Sequence, residues 1–383
     1  MLKMKYLFIL GRNTKLSEAE ILAYLEREEV SVISKEIKQN ALLVETSKEI
    51  NTAGIISNLG GTIAIGKVLI SGSIQEIIKY IRTSEIYFGE ETNFPYSILN
   101  FSSGKIEDEI KKKFKQEKLK ASLKPSGLIQ SQNHEFYSGS PDKLNKHEVN
   151  YFLFEGKEFS FGIIQAVYNT KEEEKRDMEK PERRQELAIS PRLAKILINL
   201  SQVEENEILI DPFCGIGVIL QEALLQNINV LGIDINRQAV KSAEKNILWL
   251  RKNYNTIANS RLINADSRNI KLNFKAGGIA CEPSLSVLLK EKPTRQEAER
   301  IINNYENLMI SVLNNIKNYL KEKGKIAFTS PLIMTEKTRL GCNIIKICEN
   351  TGLKPYSKNT IFPIQEFRTG QIVGREIWVL RKE

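Results

Sequence analysis

Histidine and cysteine are scarce in this chain: its 383 residues include two histidines and four cysteines. Cys214, Cys281, Cys342 and Cys348 stand apart with no Cys-x-x-Cys spacing, and His134 and His147 have no partner at ligand spacing. Neither a zinc site nor a disulfide framework is supported, so no metal, reduced intracellular thiols and two surface histidines are expected. Long apolar runs are missing as well. None approaches the roughly 20 residues of a membrane helix. The apolar part of residues 1–11 is too short for a signal peptide and reads as a first strand, so the expectation is a soluble, cytoplasmic protein with no membrane partner. Two nucleotide signatures are also absent. No Gly-Lys-[Ser/Thr] of a P-loop occurs, and Leu220 stands where a dinucleotide fingerprint would need its third glycine.

Positive charge, in contrast, is in surplus. The formal net charge of +9 favours a polyanionic partner. Residues 1–180 carry 26 Lys/Arg against 26 Asp/Glu, so the excess lies in residues 181–383, with 30 against 21. The first half has only a local cluster, Lys111, Lys112, Lys113, Lys115, Lys118, Lys120 and Lys124, which fits either a solvated helix face or a phosphate-contacting patch. At this length two or three compact units are expected.

Strand-like 6–10, helix-like 17–27 and strand-like 41–45 suggest a small α/β unit over 1–75. A second unit, 76–168, has strand-like 84–88, 151–154 and 159–166 and a helix over 105–117, in which Ile106, Ile110 and Phe114 form an inward stripe. Residues 124–147 read as a long loop, and the charged run within 169–190 as a connector with little to bury. From 191 to 383, strands near 208–210, 230–235, 261–264, 278–281, 325–330 and 376–380 alternate with helices near 218–225, 237–250, 294–320 and 337–350. This alternation implies an α/β domain with a mostly parallel sheet covered on both faces. Ligands bind beyond the carboxyl ends of such strands.

Those ends carry a pattern. The stretch 209–220, Leu-Ile-Asp-Pro-Phe-Cys-Gly-Ile-Gly-Val-Ile-Leu, follows the first strand, and Gly215 and Gly217 let its backbone turn tightly against a ligand. The second strand ends in Asp234, about 20 residues on, where a carboxylate can accept from both hydroxyls of a ribose. Asp266 closes the third strand, placed to accept from an adenine amino group. Residues 279–285, Ile-Ala-Cys-Glu-Pro-Ser-Leu, end the fourth strand in Glu282. That carboxylate is either a turn cap or an acceptor for a target amine.

The run Asp211-Pro-Phe-Cys-Gly-x-Gly217, then Gly-Ile-Asp234-Ile, then Ala-Asp266, resembles the cofactor half of S-adenosylmethionine-dependent methyltransferases. It is similar, more narrowly, to the THUMP-domain tRNA methylases that modify guanine-10 on its exocyclic nitrogen, as are Arg176-Asp177, 180–184, 190–200 and the opening residues 6–12. The resemblance is strongest over 176–285 and weakest over 90–150. It implies a Rossmann-like domain at 191–383 with a seven-stranded sheet, preceded by a ferredoxin-like unit and a THUMP-like RNA-binding unit. It places Asp211, Pro212, Phe213, Cys214, Gly215 and Gly217 along the methionine part of the cofactor, Asp234 at the ribose and Asp266 at the adenine. Glu282, Pro283 and Ser284 then form the catalytic segment. The family's usual form is Asp-Pro-Pro-aromatic, whose ring stacks on a flipped base. Here the second proline and the ring are replaced by Ser284 and Leu285, leaving Tyr305, Phe328 and Phe362 as alternative stacking surfaces. The implied activity is methylation of a tRNA guanine N2, with a small activating subunit as a further partner. A binding subunit without transfer, or an amino-methylase acting on DNA or another base, are the competing expectations.

Overall fold

The computed structural model describes residues 4–125, 144, 149–183, 189–284, 289–358 and 360–382. His134, His147, Arg184 and Leu285, singled out above, lie outside them. The chain divides into two compact units, Met1–Glu172 and Glu173–Glu383.

The first unit runs β1 (Met4–Leu10), α1 (Thr14–Arg27), β2 (Val32–Lys38), β3 (Ala41–Thr46), α2 (Thr52–Asn58), β4 (Thr62–Gly72), α3 (Ile74–Thr83), β5 (Pro95–Phe101), α4 (Glu107–Gln116), β6 (Ser122–Leu123), β7 (Val149–Glu155) and β8 (Phe159–Val167). Its strands form one sheet of order β2-β3-β1-β4-β8-β7-β5-β6. The first four, with α1 and α2, follow the β-α-β-β-α-β order of a ferredoxin-like arrangement, antiparallel throughout. Because β4 pairs with β8, the same sheet continues into the residues expected to form a separate unit. Two local devices secure it. Asn13 caps α1 by accepting from Leu16 N–H at 3.2 Å, and the buried Glu20 carboxylate accepts from Gly60 and Gly61 N–H at 2.7 Å each, tying α1 to the start of β4. The expected strand at 84–88 is instead a loop that follows α3. Helical spacing places Ile77 and Ile81 inward, and a Ser73–Glu76 capping box starts the helix.

The second unit comprises α5 (Thr170–Glu179), which straddles the border, α6 (Pro191–Ser201), β9 (Ile208–Asp211), α7 (Val218–Leu224), β10 (Asn229–Asp234), α8 (Arg237–Asn253), β11 (Ser260–Asn264), β12 (Ala276–Cys281), α9 (Arg295–Ile316), β13 (Leu320–Met334), β14 (Arg339–Leu340), α10 (Ile344–Thr351), β15 (Lys354–Pro355), β16 (Ile364–Glu366) and β17 (Val373–Arg381). Its sheet has the path β11-β10-β9-β12-β13-β17-β15, with β14 and β16 added beside β13 and β17. Nine strands therefore stand where seven were expected, the two extra being short ribbons. β9 to β13 pair in parallel and β17 runs antiparallel. This is a Rossmann-like α/β domain. Ile210, Leu231, Ile233, Ile279, Phe328 and Trp378 pack with Met309 and Leu313 of α9 in its core. Each such side chain contributes about 1.5–3 kcal/mol on burial.

The charged run expected as a connector is docked on this domain. Arg176 donates to the buried Glu222 at 3.2 Å and 3.3 Å, and the Glu182 backbone and Asn246 side chain exchange hydrogen bonds at 3.0 Å. Arg176 thus has a buried partner that the charged composition does not reveal, although the helix it belongs to buries no residue.

Candidate functional site

The carboxyl ends of β9, β10 and β12 bring the predicted acids together. Asp211 closes β9 at 1% exposure and accepts from Phe213 N–H at 3.0 Å. Burial pushes its carboxyl up to about 8. The Phe213 N–H opposes that shift, while the charges of Asp234 and Glu282 reinforce it. β12 pairs in parallel with β9, so its end lies beside the loop that follows β9. Asp234 closes β10 and locks the turn, accepting from Gly215 N–H at 2.9 Å and from Asn236 N–H at 2.8 Å. Gly215 has φ +53°, and a Cβ built there would meet nothing within 4 Å. The backbone therefore faces open space, as a ligand cradle requires. Gly217, at φ +83°, begins α7.

Pro212 and Cys214 serve this turn differently. Pro212 is buried, and its carbonyl accepts from Ser267 Oγ at 2.7 Å, fastening the β9 loop to the loop after β11. Cys214 turns its thiol toward Gly232 in the core, and burial drives its pKa up. Its backbone, not its sulfur, borders the turn. Phe213 is half-buried against the core.

Asp266 lies two residues beyond β11. Both its oxygens are taken by Arg268, with Nη2 at 2.6 Å and Nε at 3.0 Å and 2.9 Å, and this fork holds the carboxyl below its usual range. An adenine contact there requires the exposed Arg268 to swing aside, so Asp266 is the least prepared of the predicted ligands.

Glu282 follows β12, its side chain 9% exposed. Arg375 of β17 donates Nε–H to its Oε1 at 2.5 Å. Burial raises the Glu282 pKa, Arg375 opposes that, and Glu366 of β16 adds to the rise. The buried Thr329 hydroxyl also favours the charged form of Glu282. Pro283 is buried and Ser284 exposed. Two of the rings expected as stacking surfaces are core residues. Tyr305 is 5% exposed, with its hydroxyl on the Thr329 carbonyl at 2.5 Å, and Phe328 is fully buried. Phe362 is half-buried against the core.

Two residues here escaped the sequence reading. Arg375 lies 93 positions from Glu282, and Phe367 is 42% exposed, packed on Gly374 next to Arg375 and stacked beneath the Arg339 guanidinium at 4.0 Å. The only sequence signal was a charged pair, Arg375-Glu376, inside an apolar strand.

Among the described residues no helix is long and apolar enough to cross a membrane, and no three ligating side chains cluster for a metal.

The fold and these strand ends define a Rossmann-like α/β domain with acids and a glycine turn at the carboxyl ends of its parallel strands. One family model, described as DNA methylase, matches residues 73–245, and another, described as RMKL-like, methyltransferase domain, matches 181–328. The chain is 30% identical over 144 residues to the tRNA (guanine(10)-N2)-dimethyltransferase of Methanothermobacter thermautotrophicus, a match covering 38% of this chain and 39% of that one. It is 26% identical over 245 residues to the enzyme of the same name from Pyrococcus abyssi, covering 64% and 67%. The chain thus spans about two fifths of the first relative and two thirds of the second. Among solved structures, TrmN from Thermus thermophilus aligns over 99% of this chain and 100% of its own with a TM-score of 0.51 at 12% identity, a likeness of fold.

Proposed function

We propose that the chain transfers a methyl group from S-adenosylmethionine to the exocyclic N2 of a guanine in tRNA, at position 10. The carrying observation is Glu282, a carboxylate with its side chain 9% exposed at the end of β12, on the strand that pairs in parallel with β9, which Asp211 of the glycine turn closes. One site then holds a cradle for a cationic donor and an acceptor for an amine. The two relatives, both tRNA (guanine(10)-N2)-dimethyltransferases, support the substrate.

The donor supplies an electrophilic methyl on a sulfonium. The residues present fit it: Gly215 leaves open space, Asp234 is aimed at the turn, and Asp211 is a buried acid awaiting positive charge. Asp211 would take the methionine end with the backbone of Pro212, Phe213, Cys214, Gly215 and Gly217, Asp234 the ribose, and Asp266 the adenine once Arg268 releases it. Glu282 accepts a proton of the target amine. The lone pair of that amine is delocalised into the ring, so orientation and stabilisation of developing charge matter more than a strong base. Pro283 and Ser284 carry the backbone that continues this acceptor edge, and Phe367 offers an exposed ring near a flipped base.

The first unit grips the RNA. Residues 76–168 act as a THUMP-like module beside the ferredoxin-like 1–75. Lys111, Lys115, Lys118, Lys120 and Lys124 are exposed and form no ion pair among the described residues, as a phosphate surface requires. A tRNA substrate places the protein in the cytoplasm. A small activating subunit is tested by adding fractionated extract to the purified chain.

The test incubates labelled donor with bulk tRNA, followed by nucleoside mass spectrometry, with Glu282→Ala as control. Methylated N2 of guanosine is expected. The match to a DNA methylase model favours one other reading, and label entering DNA but not tRNA would replace the substrate.

A further inference from the structure

Arg375 has no task in the activity just proposed, yet it is the residue nearest the acceptor. On β17 it lies opposite Pro331 of β13 and Glu366 of β16. Its Nε–H is spent on Glu282 Oε1. Among the described residues its guanidinium makes no other hydrogen bond, so both Nη groups keep their protons unspent. The side chain is 26% exposed beside a carboxylate 9% exposed, so the arginine reaches further toward solvent than the acid it holds. An ion pair this enclosed roughly breaks even against apolar packing. Stability alone is a weak reason for an arginine in the middle of strand β17. Glu366, the other acid whose field reaches it, makes no hydrogen bond to it.

Carboxylate and guanidinium side by side present acceptor, acceptor, donor. The Watson–Crick edge of guanine presents the complement: the N2 amine, the N1–H and the O6 acceptor. Adenine offers an acceptor at N1, no amine at C2, and an amine where guanine has O6. Arginine suits such a task because its fork holds one partner and addresses a second in the same plane.

We propose that Arg375 is the specificity residue of the site, donating an Nη–H to O6 of the target guanine while its Nε–H keeps Glu282 aligned on N1–H and the N2 amine. This rests on the guanine-N2 activity proposed above. Arg375 exchanges no proton and forms no bond with the methyl. It fixes which purine can bring its 2-amino group to the acceptor.

The experiment uses two tRNA transcripts, one with guanine at position 10 and one with 2-aminopurine there, which keeps the amine and lacks both O6 and N1–H. The full-length protein and Arg375→Gln are compared by kcat/KM on each, with donor binding and melting curves as controls on folding. The wild type is expected to prefer guanine. R375Q is expected to lose roughly ten- to hundredfold on guanine and far less on 2-aminopurine, so that the preference shrinks by about that factor while donor affinity holds. If R375Q does not fold, Arg375→Lys, which keeps the charge against Glu282, is expected to reduce the preference several-fold. An equal fall on both transcripts, with the preference unchanged, overturns the proposal and leaves Arg375 as a positioning residue for Glu282. A wild-type protein that binds donor and methylates neither transcript sinks the underlying activity, and base reading with it.

Discussion

Both compact units stabilise surface acids as anions, but they differ in how they treat the acids they bury. In the first, the perturbed acids sit at the surface and are stabilised as anions: Glu109 is drawn down to about 2 by Arg82 and Lys112, and Glu155 to about 2 by Lys38 and Ser103. Among its described residues the deeply buried acid is Glu20, which accepts from two backbone N–H groups. In the second, Asp211, Glu282 and Glu376 are buried and pushed upward. Partners that complete an anion make structure, whereas burial that leaves an anion wanting makes a site. The first unit holds its shape and offers exposed lysines. The second buries acids whose charged forms are incompletely compensated, at strand ends where the proposed donor and amine would bind.

Removing the acceptor is the most direct way to break this contrast. Glu282→Gln is expected to lower kcat by about a thousandfold, with donor affinity within twofold. Single-turnover transfer to tRNA within tenfold of wild type would return Glu282 to the role of a turn cap. Next in size, Asp234→Ala should weaken donor binding about a hundredfold by calorimetry, since a charge-assisted pair contributes about 1.5–3 kcal/mol and the Gly215 N–H also loses its partner. Unchanged affinity would remove Asp234 from the ribose.

The first unit sharpens the comparison from the other side. Replacing Lys111, Lys115, Lys118 and Lys120 together by Ala should raise KM for tRNA about tenfold and flatten its salt dependence, leaving kcat alone. A fall in kcat with KM intact would move that patch from grip to chemistry.

The smallest effect is the most diagnostic of burial. The Asp211 carboxyl titrates near 4 when unfolded and at about 8 when folded. Between those values the folded chain keeps a proton that the unfolded chain has shed, so stability falls as pH rises from about 4 to 8. Asp211→Asn escapes this penalty. Without donor it should melt several degrees above wild type at pH 8, with the gap closing toward pH 4. A gap independent of pH would mean that Asp211 is ionised in the fold.

Much of the second unit was legible because parallel strands buried on both faces read as short apolar runs, each stopped by the residue that matters: Asp211, Asp234, Glu282. What sequence could not supply was partnership across distance. The apolar spacing at Ile74, Ile77, Ile78 and Ile81 was open to view but passed over for a strand at 84–88. The β4–β8 pairing that merges two expected units joins residues about a hundred positions apart, as does the Arg375–Glu282 contact. Asp266 shows the converse. Its place was legible, but its occupation by Arg268 two residues away depends on side-chain conformation, which no spacing encodes.

The position of β17 has a consequence for biosynthesis. It lies inside the sheet, between β13 and β15, both of which precede it in the chain. The first unit can close once β8 has left the ribosome. The second must wait about 200 residues more, roughly 10–40 s at usual translation rates, with β13 unpaired along one side. During that interval Glu282 lacks its arginine. A nascent chain stalled before residue 373 should therefore carry a folded first unit and an unfinished second sheet, without the Arg375–Glu282 pair.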